Sequence, residues 1–322
     1  MHFGIWVGFI VLILALLAID LGLLNRKDHA IGFRESLAWT AVWVTLSMGF
    51  AGAVYVLYDN HIAGFGVDGA KLTGGLDAAL LFMSAYVVEY SLSVDNIFVI
   101  ALIISTFKVP ARFQHRVLFW GILGALLLRG GMIGAGAALL HQFSWMMYVF
   151  GGILLFTAGR MALQKDESVD IEHSWTLKTV RRFYPVSPEF HGRHFTTRLP
   201  DGRHAVTPLL LVLLLVETTD VLFAVDSIPA VFSVTLDPFI VFTSNVFAIL
   251  GLRSLYFAMA GLIDKFHYLK AALVVLLAFI GVKMLLAKVV PMEAGPSFGI
   301  IVAILATGVT ASLLRKTPPA QA

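Results

Sequence analysis

Long apolar runs separated by short polar segments set the frame for this chain. Residues 3–24, 37–58, 77–104, 116–139, 144–163, 207–232, 238–263, 268–288 and 298–314 each approach the length a helix needs to cross a hydrocarbon layer. That length is about 20 predominantly apolar residues for a layer of about 30 Å. The pattern predicts an all-α polytopic membrane protein of about nine transmembrane helices, built as a single integral domain over residues 1–322. The first run is too long for the core of a cleaved leader, lacks a basic segment before it and is followed by Asn25-Arg26-Lys27. It therefore reads as a retained span.

One sizeable polar stretch, residues 164–206, interrupts the series between the fifth and sixth runs. Its first part mixes Trp175, Leu177, Val180 and Phe183 with Lys178, Arg181 and Arg182, the composition of a helix lying on a lipid surface, with a solvated linker as the alternative. Its second part holds Leu199-Pro200-Asp201-Gly202-Arg203, a turn signal that predicts a small hairpin.

Loop charges orient the chain. With the N-terminus outside, cytoplasmic segments collect Arg26, Lys27, Arg34, Lys108, Arg112, Arg116, eight basic residues from Arg160 to Arg203, Lys265, Lys270, Arg315 and Lys316. The outer segments hold only Lys71 and Lys288. A wrong number of spans would invert every later loop, so the asymmetry predicts N-terminus out, C-terminus in and a cytoplasmic 164–206 loop.

Composition agrees with this reading. Hydrophobic residues make up 59% and charged residues 13% of the chain, against about 45–50% and about 25% in soluble domains. The formal net charge of +3 is spread through short loops, so it reports topology rather than a nucleic-acid partner. Cysteine is absent, which excludes disulfides, thiolate metal sites and thiol nucleophiles.

The informative residues are the acids inside the runs. A charge at the bilayer centre costs at least about 2.5–3.5 kcal/mol and must face protein or water. Asp20, Glu89, Asp95, Glu217, Asp220 and Asp226 lie in predicted spans, against Arg129, Arg253 and Lys283 as available cations. Protonation or a bound cation relieves such an excess. Pairing with Arg129 and Arg253 alone, as a purely structural arrangement, would absorb two of the acids.

Two acidic segments resemble each other. Glu89-Tyr-Ser-Leu-Ser-Val-Asp95-Asn96-Ile97 aligns with Asp220-Val-Leu-Phe-Ala-Val-Asp226-Ser227-Ile228, and Ile122-Leu123-Gly124 before Arg129 aligns with Ile249-Leu250-Gly251 before Arg253. With the topology above, the repeat is inverted, the arrangement found in secondary transporters with a site near the midplane. At 100° per residue Glu89, Ser93 and Asn96 share a face while Asp95 lies about 120° away from Glu89. Glu217, Asp220 and Ser227 cluster likewise, with Asp226 about 120° away from Asp220. Either both helices are buried all round, or they unwind near Asp95 and Asp226; Pro229 favours a break in the second.

All ten histidines lie in loops or at span ends. A ligand set of carboxylates, Asn96, Ser93, Ser227 and Asn245 is an oxygen set, suited to magnesium, calcium or manganese rather than zinc, copper or nickel.

These same segments carry a resemblance. Glu89 to Asn96, Glu217-Thr-Thr-Asp220-Val-Leu-Phe-Ala-Val-Asp226-Ser227-Ile-Pro229-Ala, and Asp237-Pro-Phe-Ile-Val-Phe-Thr-Ser-Asn245 through Gly251-Leu-Arg253 resemble the TerC family of bacterial integral membrane proteins, in its Alx-like branch. The resemblance implies a nine-span inner-membrane exporter of manganese, with Glu89, Asp95, Glu217, Asp220 and Asp226 matching the family's acidic transport residues. The metal set expected is Glu89, Asp95, Asn96, Glu217, Asp220, Asp226 and Ser227, supported by Ser93, Asn245, Arg129 and Arg253. Arg129 and Arg253 would neutralise the empty site, and Glu217 would take up protons in exchange.

Mn²⁺ or another hard divalent cation such as Ca²⁺ is then cargo, no resident cofactor is expected, and the partners are the lipid bilayer and other membrane or secretion-associated proteins. A rival reading is a non-transporting scaffold or stress-complex subunit linked to tellurium resistance, as the associations of other family members suggest. An enzyme is not expected: intramembrane aspartyl proteases need a Gly-x-Gly-Asp segment, whereas Phe-Ala-Val precedes Asp226 and Leu-Ser-Val precedes Asp95.

Overall fold

A computed structural model describes residues 3–22, 33–66, 74–163, 174–199, 202–259 and 268–314; the side chains of Asp20, Asp95 and Arg253 lie outside that description. Among the described residues there are ten α-helices, a short 3-10 turn (Ile62–Gly64) and a two-stranded hairpin. Long apolar helices form α1 (Phe3–Gly22), α2 (Phe33–Asp59), α3 (Gly75–Thr106), α4 (Ala111–Gln142), α5 (Met146–Leu163), α7 (Pro208–Val234), α8 (Pro238–Met259), α9 (Leu269–Leu286) and α10 (Ala294–Leu314). The remaining elements, α6 (Trp175–Phe183), β1 (Thr196–Arg198) and β2 (His204–Val206), lie in the polar stretch between α5 and α7.

The protein is therefore an all-α, multi-pass membrane protein, as the apolar runs predict. Among the described residues, seven helices are long and apolar enough to cross a membrane, while α1 and α8 carry the shorter apolar stretches Phe3–Ile19 and Pro238–Leu252.

Contacts fix the relative directions of the helices. The Phe50 and Phe82 rings meet at a tilt, 5.4 Å apart, and Asp59 accepts from the Gly75 amide at 3.4 Å, so α2 and α3 are antiparallel. Phe82 meets Phe247 at 6.2 Å and Tyr90 abuts Gly251, so α3 and α8 are parallel. Gly121 abuts Val216 and Gly136 abuts Phe232, so α4 and α7 are parallel. Gln114 lies 3.5 Å from the Tyr256 hydroxyl, whereas Gly130 abuts Phe242, so α4 and α8 are antiparallel.

It follows that α3 runs opposite to α7. The strongest helix packing pairs α5 with α9, α3 with α8 and α4 with α7. Each acidic helix thus packs against the helix that follows the other, the exchange an inverted repeat of two helices produces.

Small residues allow the closest approach. Gly151 on α5 and Gly281 on α9 sit against Leu285 and Leu155 respectively, and a methyl group on either would press on its neighbour at 2.9 Å. Without a hydrophobic driving force between helices in lipid, such close packing is what holds them together. At one end of the bundle the Asp237 carboxylate accepts from the Phe239 and Ile240 amides at 2.9 and 3.2 Å, satisfying orphan donors at the start of α8. Its other oxygen accepts from the Tyr58 hydroxyl at 2.7 Å, tying α8 to α2.

In the polar stretch, the predicted amphipathic helix and hairpin both form. Ser174 caps α6 by accepting from the Leu177 amide at 3.3 Å, and Leu177 buries into the apolar cluster around Leu209 and Val212. Strand β1 pairs antiparallel with β2, from Thr196 opposite Val206 to Arg198 opposite His204. Arg116 on α4 covers the Phe195 ring at 4.8 Å, docking the hairpin on the end of the bundle.

Candidate functional site

The predicted acids face different neighbours, and α7 distributes them. Its residues Asp220, Ala224, Ser227 and Ile228 are buried against the rest of the bundle. Asp220 meets Arg129 of α4, which is 1% exposed. The Arg129 Nε donates to Asp220 Oδ2 at 3.1 Å and Nη2 to Oδ1 at 2.8 Å, a fork on a single carboxylate. Nη1 donates to Glu89 Oε1 on α3 and to the Ser227 hydroxyl at 3.4 Å.

One guanidinium therefore joins three helices through two acids. Arginine is suited to this place because its planar fork matches a carboxylate bidentately and it does not deprotonate. A buried ion pair is stable only when geometry is good and the remaining polar atoms find partners. Glu89 does not fully meet that condition: it is wholly buried, and its Oε2 has no hydrogen-bond partner.

The unpartnered atoms continue along α3. Ser93 Oγ and Asn96 Nδ2, one and two turns beyond Glu89 on the same face, are buried without partners, as is Asn245 Nδ2 on α8. A file of buried groups with free hydrogen-bonding capacity is where water or an ion is expected.

Glu217 and Asp226 lie apart from the arginine. The Glu217 carboxylate rests directly on Gly124 of α4, so close that a β-carbon there would overlap it, and its Oε2 is buried without a partner. Here glycine is required by close approach, not by backbone conformation. Asp226 turns to the opposite side of α7 and accepts from the Thr157 hydroxyl of α5 at 2.7 Å.

Arg129 sits between two of the acids as their counter-ion, because α3 and α7 each present a carboxylate to the cation that α4 carries there. Among the described residues, no group of three or more His, Cys, Asp or Glu side chains converges on an ion-sized site. The separation of the two α7 aspartates follows from the 100° step, which aims Asp220 at α4 and Asp226 at α5. The break near Pro229 is not observed: α7 runs continuously from Pro208 to Val234, and α3 from Gly75 to Thr106. Pro229 lies inside α7, and a membrane helix packed against its neighbours tolerates the loss of one backbone donor without breaking. Nor is α7 buried all round, since Leu222 and Val225 are exposed.

Asp95 and Arg253 lie outside the described side chains, as does Asp20. Sequence reasoning missed Thr157, which carries no motif, and the role of Gly124, whose signal was its place in the repeated Ile-Leu-Gly segment.

Comparison with known proteins places these residues in a wider group. A family described as "Integral membrane protein TerC family" matches residues 75–319. An uncharacterized membrane protein of Myxococcus xanthus is 46% identical over 313 residues, covering 97% of this chain and 93% of the relative. The Escherichia coli K12 protein named "Putative membrane-bound redox modulator Alx" is 44% identical over 302 residues, covering 94% of this chain and 91% of the relative. A membrane protein of Rickettsia bellii is 36% identical over 312 residues, covering 97% of each chain. No solved structure matches the chain.

Proposed function

This chain belongs to the integral membrane protein TerC family, and on that premise we propose that it is a transporter exporting a hard divalent cation, with manganese the leading candidate. The single observation carrying this reading is the group of buried carboxylates between two oppositely directed helices, with hydrogen-bonding capacity left over on Glu89, Ser93, Asn96 and Glu217. Groups so costly to bury are retained in membrane helices for ion or proton passage far more often than for bracing.

In the proposed cycle the cation enters from the cytoplasm between α3 and α7, exchanging part of its hydration shell for oxygens of Glu89, Asp95, Asn96, Asp220 and Ser227 at one point of its path and for those of Asp226 at another. The two halves then rock, and the cation leaves on the far side. Glu217, one turn from Asp220 and clear of the arginine, takes up protons in exchange. Arg129, with Arg253, neutralises the acids when the site is empty. The protein works in the bacterial cytoplasmic membrane with its N-terminus outside.

The Escherichia coli relative is named for redox modulation. This chain contains no cysteine, so any redox effect it had would run through the metal it moves rather than through thiols of its own.

Inside-out vesicles loaded with a metal-sensitive dye test the reading. Wild type should take up Mn²⁺ in preference to Ca²⁺, Mg²⁺ and Zn²⁺, respond to an imposed pH gradient, and lose uptake on Asp95→Asn. Retention of the pH-gradient response in Glu217→Gln would remove the proton role of Glu217. Uptake of none of these ions by folded protein would favour the scaffold reading.

A further inference from the structure

We propose that Arg129 is a tethered counter-cation that competes with the transported ion for Asp220 and Glu89, so that the carrier can return empty without two bare carboxylates in its core. This inference rests on the transport reading above and adds to it how the site is regulated.

The geometry makes guanidinium and cargo mutually exclusive at Asp220. Both of its oxygens are engaged by the Arg129 fork, at 3.1 and 2.8 Å. A hard divalent cation requires several oxygen ligands at close range, so it gains Asp220 only where the fork lets go. Arg129 cannot yield by losing its proton. It can yield only by moving, and a long side chain on α4 reaching to both α3 and α7 is able to do so without any change of helix.

Glu89 carries the second observation. It is fully buried, gives one oxygen to Arg129, and leaves the other without a partner. A pair built only as a brace would be expected to satisfy that oxygen as well, since an unpartnered buried carboxylate oxygen is costly. Here a ligating atom is held ready beside the guanidinium, with Ser93 and Asn96 continuing the same face.

The consequence is kinetic as well as structural. With the guanidinium seated, the empty core carries less uncompensated charge, and the conformational change that returns the empty site is passable. With cargo seated, the ion supplies the compensation instead. Deleting the guanidinium should therefore block the empty return and spare the loaded passage.

The test uses purified full-length protein in liposomes, comparing net Mn²⁺ uptake into Mn²⁺-free vesicles with exchange of labelled Mn²⁺ into preloaded ones. In Arg129→Gln, net uptake should fall by about tenfold or more while exchange persists within about threefold of wild type. Mn²⁺ should also raise the Tm of Arg129→Gln more than that of wild type, because the ion replaces the missing charge.

Equal loss of both fluxes in folded protein, or unchanged net uptake, would overturn the proposal, and so would the absence of extra Mn²⁺ stabilisation. If Arg129→Gln does not fold, Arg129→Lys decides: keeping the charge without the fork should preserve net uptake and lower the half-saturating Mn²⁺ concentration. An unchanged or raised value would contradict competition. Wild type moving neither net nor exchanged Mn²⁺ would instead refute the transport reading, and this inference with it.

Discussion

Asp220 and Asp226 stand six residues apart on α7 and live in different chemical settings. Asp220 has both oxygens held by Arg129, in a pair shared with Glu89 across three helices. Asp226 has one hydroxyl, that of Thr157, and no arginine among its hydrogen-bond partners. Glu217 sides with Asp226 in this respect, resting on Gly124 with one oxygen unpartnered. The difference teaches that intramembrane acids on one helix need not share a role: Asp220 has a neighbouring side chain as counter-ion when the site is empty, whereas Asp226 has none within hydrogen-bonding reach. Loss of the arginine should weigh on folding as well as on transport, and loss of Asp226 on transport far more than on folding.

The largest expected effect breaks the compensated centre. Arg129→Met leaves Glu89 and Asp220 buried without their cation, and removal of one partner from such a pair costs about 3–5 kcal/mol. Thermal unfolding in detergent without Mn²⁺ should show a large drop in Tm, or no folded protein. Adding Asp220→Asn to the same chain should recover much of the loss, since a neutral amide no longer needs the cation.

A smaller effect comes from crowding Glu217. Gly124→Ala places a methyl group where the carboxylate now lies, and overpacking of this kind costs about 1–3 kcal/mol. Transport should fall along with Tm, and Gly124→Ala combined with Glu217→Ala should restore Tm but not flux. Recovery of flux in that pair would show that Glu217 is packing rather than part of the path.

Smaller still in stability is Thr157→Val, which removes one hydrogen bond worth about 0.5–1.5 kcal/mol. If Asp226 lies on the path, the change should alter the half-saturating Mn²⁺ concentration more than it alters Tm. The smallest effect lies far from the acids. Ser174→Ala removes the cap of α6, about 1 kcal/mol of local helix stability, and should quicken amide exchange at 175–178 with Mn²⁺ flux unchanged.

Much of this architecture is legible in the sequence, for a physical reason. In lipid every backbone group must be satisfied within the segment, so a long apolar run has little alternative to a helix. The predicted 77–104 and 207–232 become Gly75–Thr106 and Pro208–Val234, and the hairpin forms around the Leu199–Arg203 turn that announced it. The opposite directions of α3 and α7 follow from the repeat and from the parity of the spans. Helical rotation also separated Asp220 from Asp226 correctly.

What rotation could not give is the identity of the neighbour on each face. Arg129 is far from Glu89 and Asp220 in sequence, and only the packing of α4 against α7 brings it to both. Thr157 became visible only once α5 was placed beside α7. Pro229 misled because a proline inside a membrane helix is tolerated where packing against neighbouring helices makes good the freed backbone group, and that packing is not written in the local sequence.

The central claim is that the intramembrane acids form an ion path, Asp226 among them. The measurement that tests it most directly is Mn²⁺ flux through purified protein in liposomes, wild type against Asp226→Asn, with Tm recorded for both. The amide keeps the shape of the side chain and can still accept from Thr157, so stability should change little. The account predicts a loss of flux of about tenfold or more at nearly constant Tm. Wild-type flux that Asp226→Asn leaves intact would contradict it.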